Sequence, residues 1–181
     1  ILLIFMSSFI GYSQSPTYFQ KIIGQPGLLF ENGNSVKQLQ DGSYALAGVR
    51  GNVFNNVDCF VLRIDQFGNL ISEIGLYDTT VSHFYQNLKL TNGGYIISGA
   101  YRTYNPPLQK HFITKTDFNG DTLWTHIIAN NSQNSNAWSI ENTLDGGYIF
   151  GGYTYDTLYW DSNIVKLDSL GNVEFDSVYI G

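Results

Sequence analysis

The segments DGSYALAG (residues 41–48), NGGYIISG (92–99) and DGGYIFGG (145–152) are near copies of one another. A fixed internal period constrains a fold strongly, because each repeat has to be one supersecondary unit that buries its apolar face by stacking on its neighbours. The turn glycines Gly42, Gly93 and Gly146 are spaced by 51 and 53 residues. A second marker, DQFGN, DFNGD and DSLGN, begins at Asp65, Asp117 and Asp168, spaced by 52 and 51. A third, KIIG, SEIG, HIIA and VYIG, ends at Gly24, Gly75, Ala129 and Gly181. Three independent markers thus keep one period of about 52 residues.

Inside each copy the pattern is that of strands. Asp-Gly or Asn-Gly between two apolar runs signals a hairpin, and a type I′ turn is expected there, with positive φ at both central residues. One strand then precedes Asp41, Asn92 and Asp145, and another begins at Tyr44, Tyr95 and Tyr148. The Asp-x-x-Gly-Asn/Asp marker suits a type I turn followed by a left-handed Gly, with the Asp bonding the turn backbone. It joins CFVLRID, HFITKTD and SNIVKLD to the apolar segments that close each unit. Each unit is therefore four antiparallel strands, a to d, and no 3.6-residue stripe competes with them. The runs YIISGAY and YIFGGY are apolar on both strand faces, as a sheet packed between two others requires. Gly48, Gly99 and Gly152 recur four residues after the repeated Tyr. A strand-interior Gly is costly unless another backbone or ring comes close, so a recurring packing requirement is expected there.

Four-stranded units repeated at this length suit the blades of an all-β propeller. The motif set, DGGY-apolar-apolar-x-G followed by I-x-K-x-D-x-x-G-N, resembles the secreted propeller-repeat proteins common in Bacteroidetes. The resemblance covers residues 35–181 and implies export, often by type IX secretion through a C-terminal sorting domain, but no particular activity. Residues 17–24, TYFQKIIG, match the closing d strand of each later unit. The region 14–181 thus reads as one d strand followed by units at about 25–75, 76–129 and 130–181. Three blades do not close a propeller comfortably. The expectation is an N-terminal arc of a larger propeller, monomeric at full length.

The beginning, ILLIFMSSFIGYS, reads as a signal peptide over residues 1–13 that starts inside its own apolar region. Residues 1–10 are apolar apart from Ser7 and Ser8, and Gly11 and Ser13 supply the small residues of a cleavage site. No later segment has the length and apolarity of a transmembrane helix. Charged residues are 13% of the chain, against roughly 25% in an average soluble protein. The net charge of -6, with no Lys/Arg cluster, argues against a nucleic-acid partner. A polar, aromatic, weakly charged surface suits a secreted or cell-surface location.

The chemistry-bearing residues read mostly as structure. The lone Cys59 aligns with His111 and Ser162 in the other copies, which suits a strand filler rather than a nucleophile. Arg63, Lys115 and Lys166 lie two residues before Asp65, Asp117 and Asp168, so a basic–acidic pair is expected beside that turn in every copy. Asp117, Asn119 and Asp121 alternate oxygen donors as calcium loops do, but Gly120 is out of register and the donors do not repeat. Trp124, four residues after Gly120, faintly resembles the tryptophan-docking motif of quinone-dependent dehydrogenase propellers, with a turn one residue short. His83, His111 and His126 stand singly, and there is no G-x-S-x-G, P-loop or dinucleotide glycine pattern. No catalytic, cofactor-binding or metal-ligating residue is assigned.

The repeated residues have turn or packing roles, so diversity is expected in the b–c connections, 50–58, 102–110 and 154–162. Their aromatic and amide side chains suit sugar faces and adaptable hydrogen bonds. The leading expectation is an exported, non-enzymatic propeller that binds glycans or surface proteins, or serves as a scaffold. The alternative is part of an extracellular carbohydrate-active or other propeller enzyme whose catalytic groups lie in further blades.

Overall fold

The computed structural model describes residues 23–24, 28, 30–53, 56–76, 81–128, 134–155 and 158–180. The segment 1–13 and nearly all of 17–24 lie outside them; Ile23 and Gly24 belong to no strand. Every regular element among the described residues is a strand. Unit 1 comprises β1 (Phe30–Gln38), β2 (Tyr44–Val53), β3 (Asn56–Ile64) and β4 (Leu70–Leu76). Unit 2 comprises β5 (Val81–Thr91), β6 (Gly94–Tyr104), β7 (Pro107–Asp117) and β8 (Thr122–Ile128). Unit 3 comprises β9 (Asn134–Asn142), β10 (Tyr148–Tyr155), β11 (Trp160–Leu167) and β12 (Val173–Tyr179). Each is an antiparallel meander, and one parallel bridge, Gln109 to Asn134, joins the sheets of units 2 and 3.

The Asp-x-x-Gly turns form as expected. Gly68, Gly120 and Gly171 have positive φ, and the Asp65, Asp117 and Asp168 carboxylates accept N–H bonds from their own turns. The Asp-Gly turns are not type I′. No described non-Gly residue has positive φ, so Gly42, Gly93 and Gly146 alone are left-handed. In units 1 and 3 the N–H of Gly42 and of Gly146 donates three residues back, to the Leu39 and Thr143 carbonyls. That is a type I turn closed by a glycine bulge, in which Asp41 and Asp145 keep ordinary φ while their carboxylates accept the Ser43 and Gly147 N–H.

The recurring strand glycine has a definite cause. In each unit the a strand carries one extra residue, Asn34, Gln86 or Trp138, so that its ladder with the b strand slips by one. Next to each bulge a backbone carbonyl occupies the place of the glycine's missing Cβ. A Cβ on Gly48, Gly99 or Gly152 would lie 2.1, 1.6 or 1.9 Å from the carbonyl oxygen of Asn32, Phe84 or Asn136. The close approach comes from within the unit's own sheet.

Stacking buries the remaining faces. Ala45, Ala47, Cys59 and Val61 of unit 1 form one core with Tyr85, Leu88, Tyr95, Ile97 and Phe112 of unit 2. The alternate residues of unit 2, Ile96 and Ile113, turn to the other face and meet Tyr148, Phe150 and Val165 of unit 3. YIISGAY is apolar on both faces because unit 2 has a neighbour on each. Cys59 is fully buried, and burial pushes its thiol well above the usual range.

Candidate functional site

The three b–c connections are much shorter than their sequence suggests. Residues 50–53, 102–104 and 107–110 are strand, as are 154–155 and 160–162, so the hairpins carry these side chains on ladders rather than on loops. Residues 54–55 and 156–157 lie outside the described ones. Ladder placement produces an arrangement that separate loops would not. Arg102 pairs with Gln109, Gln109 with Asn134, Asn134 with Tyr155, and Tyr155 with Trp160. In-register partners project to one face. These five residues therefore form one row across β6, β7, β9, β10 and β11, crossing the seam between units 2 and 3. At about 4.8 Å per strand the row is about 19 Å long.

The row floors an open groove of about 450 Å³, completed by Pro107, Leu108 and Tyr153. At one end Trp160, 65% exposed, lies tilted against Tyr153 and Tyr155, with ring centroids 4.5 and 4.8 Å apart. In the middle, the Gln109 amide donates to the Tyr153 hydroxyl at 3.2 Å, and Asn134 Oδ1 accepts the Gln109 backbone N–H at 2.9 Å. The Gln109 amide also donates to the Ser135 carbonyl, at 3.5 Å. At the other end Arg102 is exposed, its guanidinium 5.9 Å from the Tyr104 ring centroid. No described residue lining the groove is acidic.

The repeat supplies an internal comparison. By the period and the ladder register, Arg102 and Tyr155 correspond to Gly51 of β2, Gln109 and Trp160 to Val57 of β3, and Asn134 to Ser82 of β5. At the seam between units 1 and 2 the equivalent positions therefore carry Gly51, Val57, Ser82, Arg102 and Gln109; the first three are buried, and Ser82 Oγ accepts the Val57 N–H as Asn134 Oδ1 accepts that of Gln109. The two seams are built alike, but a Tyr and a Trp stand in the row at only one.

The other candidates fall elsewhere and into structural roles. Arg63 and Lys166 do not pair with Asp65 and Asp168, whose carboxylates are turned into their own loops. Arg63 bonds Asp41, and Lys166 bonds Asp145 and Glu174 at 2.8 Å each, across the neighbouring strand. The hydrogen bond from Lys166, with those from Thr143 and Gly147, holds the Asp145 carboxyl far below the usual range. Unit 2 has Asn92 where the others have Asp, and Lys115 lies instead over the Tyr148 ring at 5.4 Å. Arg50 is buried on β2, bonded to Glu73 and over the Phe60 ring, away from any groove. Asp117 Oδ1 accepts the N–H groups of Asn119, Gly120 and Asp121, which makes it a turn residue. His83 packs edge-on against Phe112, His111 is buried against Phe150, and His126 lies beside Trp124, so the three do not converge. Burial lowers the His111 pKa to about 4. Among the described residues no group of three His, Cys, Asp or Glu side chains could hold a metal ion.

Of the row, the connections singled out from sequence contain Arg102, Gln109, Tyr155 and Trp160. Asn134 and Tyr153 escaped, because no local pattern announces a single parallel bridge between two repeats.

The fold and groove define an all-β repeat protein of stacked four-stranded antiparallel units with an aromatic, amide-lined seam. No protein-family model matches the chain, and no curated protein does. A crystal structure of a eukaryotic initiation factor is similar over 82% of this chain, at 15% identity and a TM-score of 0.49. The similarity takes in 32% of that protein's chain, so the present sequence spans about a third of its length. No helix among the described residues is long and apolar enough to cross a membrane.

Proposed function

We propose that the protein is an exported, non-enzymatic repeat protein of the β-propeller type that binds saccharide at the cell surface through the groove between units 2 and 3. The observation that carries this reading is the row itself. Aromatic faces and amide groups stand together on ladders at one seam, where the equivalent row has neither Tyr nor Trp and begins with Gly51, Val57 and Ser82. Exposed aromatic rings next to fixed polar groups suit the alternating C–H faces and hydroxyl edges of pyranose rings. Export is supported by the apolar residues 1–13 and by the resemblance of the repeat motifs to secreted proteins.

The propeller part of the reading rests on the stacking. The face of unit 3 bearing Ile149, Ile164 and Phe175 corresponds, position by position, to the Ile96, Ile113 and Trp124 face of unit 2 that unit 3 covers. A further unit of the same kind would cover it in turn. The binding part is tested by titrating the full chain with a panel of neutral and acidic oligosaccharides, monitored by tryptophan fluorescence and calorimetry. Saturable binding that Trp160→Ala weakens is expected. Absence of saccharide binding across the panel overturns the reading.

A further inference from the structure

The groove is electrostatically out of keeping with its surroundings. The chain carries a net charge of -6, yet among the described residues the lining holds one cation and no carboxylate. That cation, Arg102, has no carboxylate partner among the described residues. The other two arginines are paired, Arg50 with Glu73 and Glu31 and Arg63 with Asp41. Arg102 is also not a loosely tethered surface side chain. It stands on a ladder position paired with Gln109, and its guanidinium lies by the Tyr104 ring on the same face of β6. A guanidinium beside a ring keeps N–H groups with which to bond a further partner. A planar fork held this way matches a carboxylate, which accepts two parallel bonds.

Position then sets the ligand's layout. Arg102 is at one end of the row and Trp160 at the other, four strand spacings away, or about 19 Å. The rest of the described lining is uncharged. We infer that the groove takes an acidic oligosaccharide of about four rings with a single carboxylate at one end. Arg102 binds the carboxylate, Gln109 and Asn134 meet the hydroxyls of the middle rings, and Trp160 with Tyr155 stacks on the far ring. A polyuronate with a carboxylate on every ring is a poorer match, because only one cation is there to meet it. This inference rests on the saccharide reading above and adds Arg102 as the residue that determines specificity.

The test uses the full chain and tetrasaccharides of three neutral rings capped by a glucuronic, galacturonic or sialic acid, each paired with its carboxyl methyl ester. Hydrogen bonds to charged groups imply that the acid of at least one pair binds about tenfold or more tighter than its ester. Arg102→Gln should erase that difference. Arg102→Lys should restore part of the preference, and Trp160→Ala should weaken acid and ester alike. Arg102 is exposed, so its variants are expected to keep the wild-type circular dichroism and melting transition, which are recorded alongside. Equal binding of acid and ester in every pair, or a preference that survives Arg102→Gln, overturns the acidic-ligand inference and leaves saccharide binding standing. No binding of any acid or ester, together with none of the neutral panel, overturns both.

Discussion

Gly151 and Gly152 stand side by side in β10, and the structure gives them opposite fates on substitution by alanine. At Gly151 a new Cβ meets nothing nearer than the Asn163 carbonyl oxygen, 4.0 Å away. At Gly152 the new Cβ would lie 1.9 Å from the Asn136 oxygen, 2.9 Å from its carbonyl carbon and 3.1 Å from the Ala137 Cα. Reaching even 3.0 Å requires a backbone movement of 3.0 − 1.9 = 1.1 Å. Asn136 and Ala137 are ladder residues opposite Tyr153 and Gly152, and Ala137 and Ile140 belong to the core between units 2 and 3. Such a shift loosens one or two ladder bonds at about 0.5–1.5 kcal/mol each and disturbs close packing, for a total of about 2–4 kcal/mol. For a chain of this size that lowers Tm by roughly 5–15 °C. Gly151→Ala should be neutral or stabilising by about 0.4–1 kcal/mol, through the lower entropy of the unfolded chain. Urea denaturation followed by fluorescence of Trp124, Trp138 and Trp160 measures both. Equal stability of the two variants within about 0.5 kcal/mol would refute the carbonyl-contact explanation of the repeated glycine.

Two further predictions concern the turns and the core. Gly93 has φ +94° with no atom near its absent Cβ, so Gly93→Val isolates backbone strain and should cost about 1–3 kcal/mol in the same urea assay. His111 is held neutral, its pKa lowered by burial from 6.5 to about 4 against the opposing hydrogen bond to the Tyr153 carbonyl. The unfolded chain therefore binds the extra proton first. Stability is complete above about pH 6.5 and declines as pH falls towards 4, by about 3 kcal/mol in all. His111→Ser, which installs the residue found at the equivalent Ser162, should flatten that decline when urea midpoints are compared from pH 4 to 8.

Much of the fold was legible because its signals are local. Asp-Gly and Asp-x-x-Gly fix where the chain reverses, and the alternation of Tyr95, Ile96 and Ile97 shows that unit 2 is covered on both sides. The bulges were not legible. Asn34 and Gln86 carry amides but Trp138 an indole, so no common residue type marks the position, and the extra residue is absorbed opposite a glycine, which has no side chain to register the slip. The ion pairs were misplaced for a related reason. The i, i+2 spacing of Arg63 and Asp65 is visible in the sequence, whereas the competition between turn N–H groups and a cross-strand cation for each carboxylate depends on register. The groove was half legible: its aromatic and amide residues stand out by composition, but their alignment depends on how two rigid units dock.

The bridge from Gln109 to Asn134 also has a thermodynamic consequence. The row is complete only while units 2 and 3 stay docked, so the affinity of the proposed saccharide and the strength of the seam would be linked quantities. By reciprocity, whatever free energy docking lends to ligand binding, the bound ligand returns to docking. A saccharide laid across all five strands would act as a splint over the joint, and slower amide exchange at the seam would report its presence.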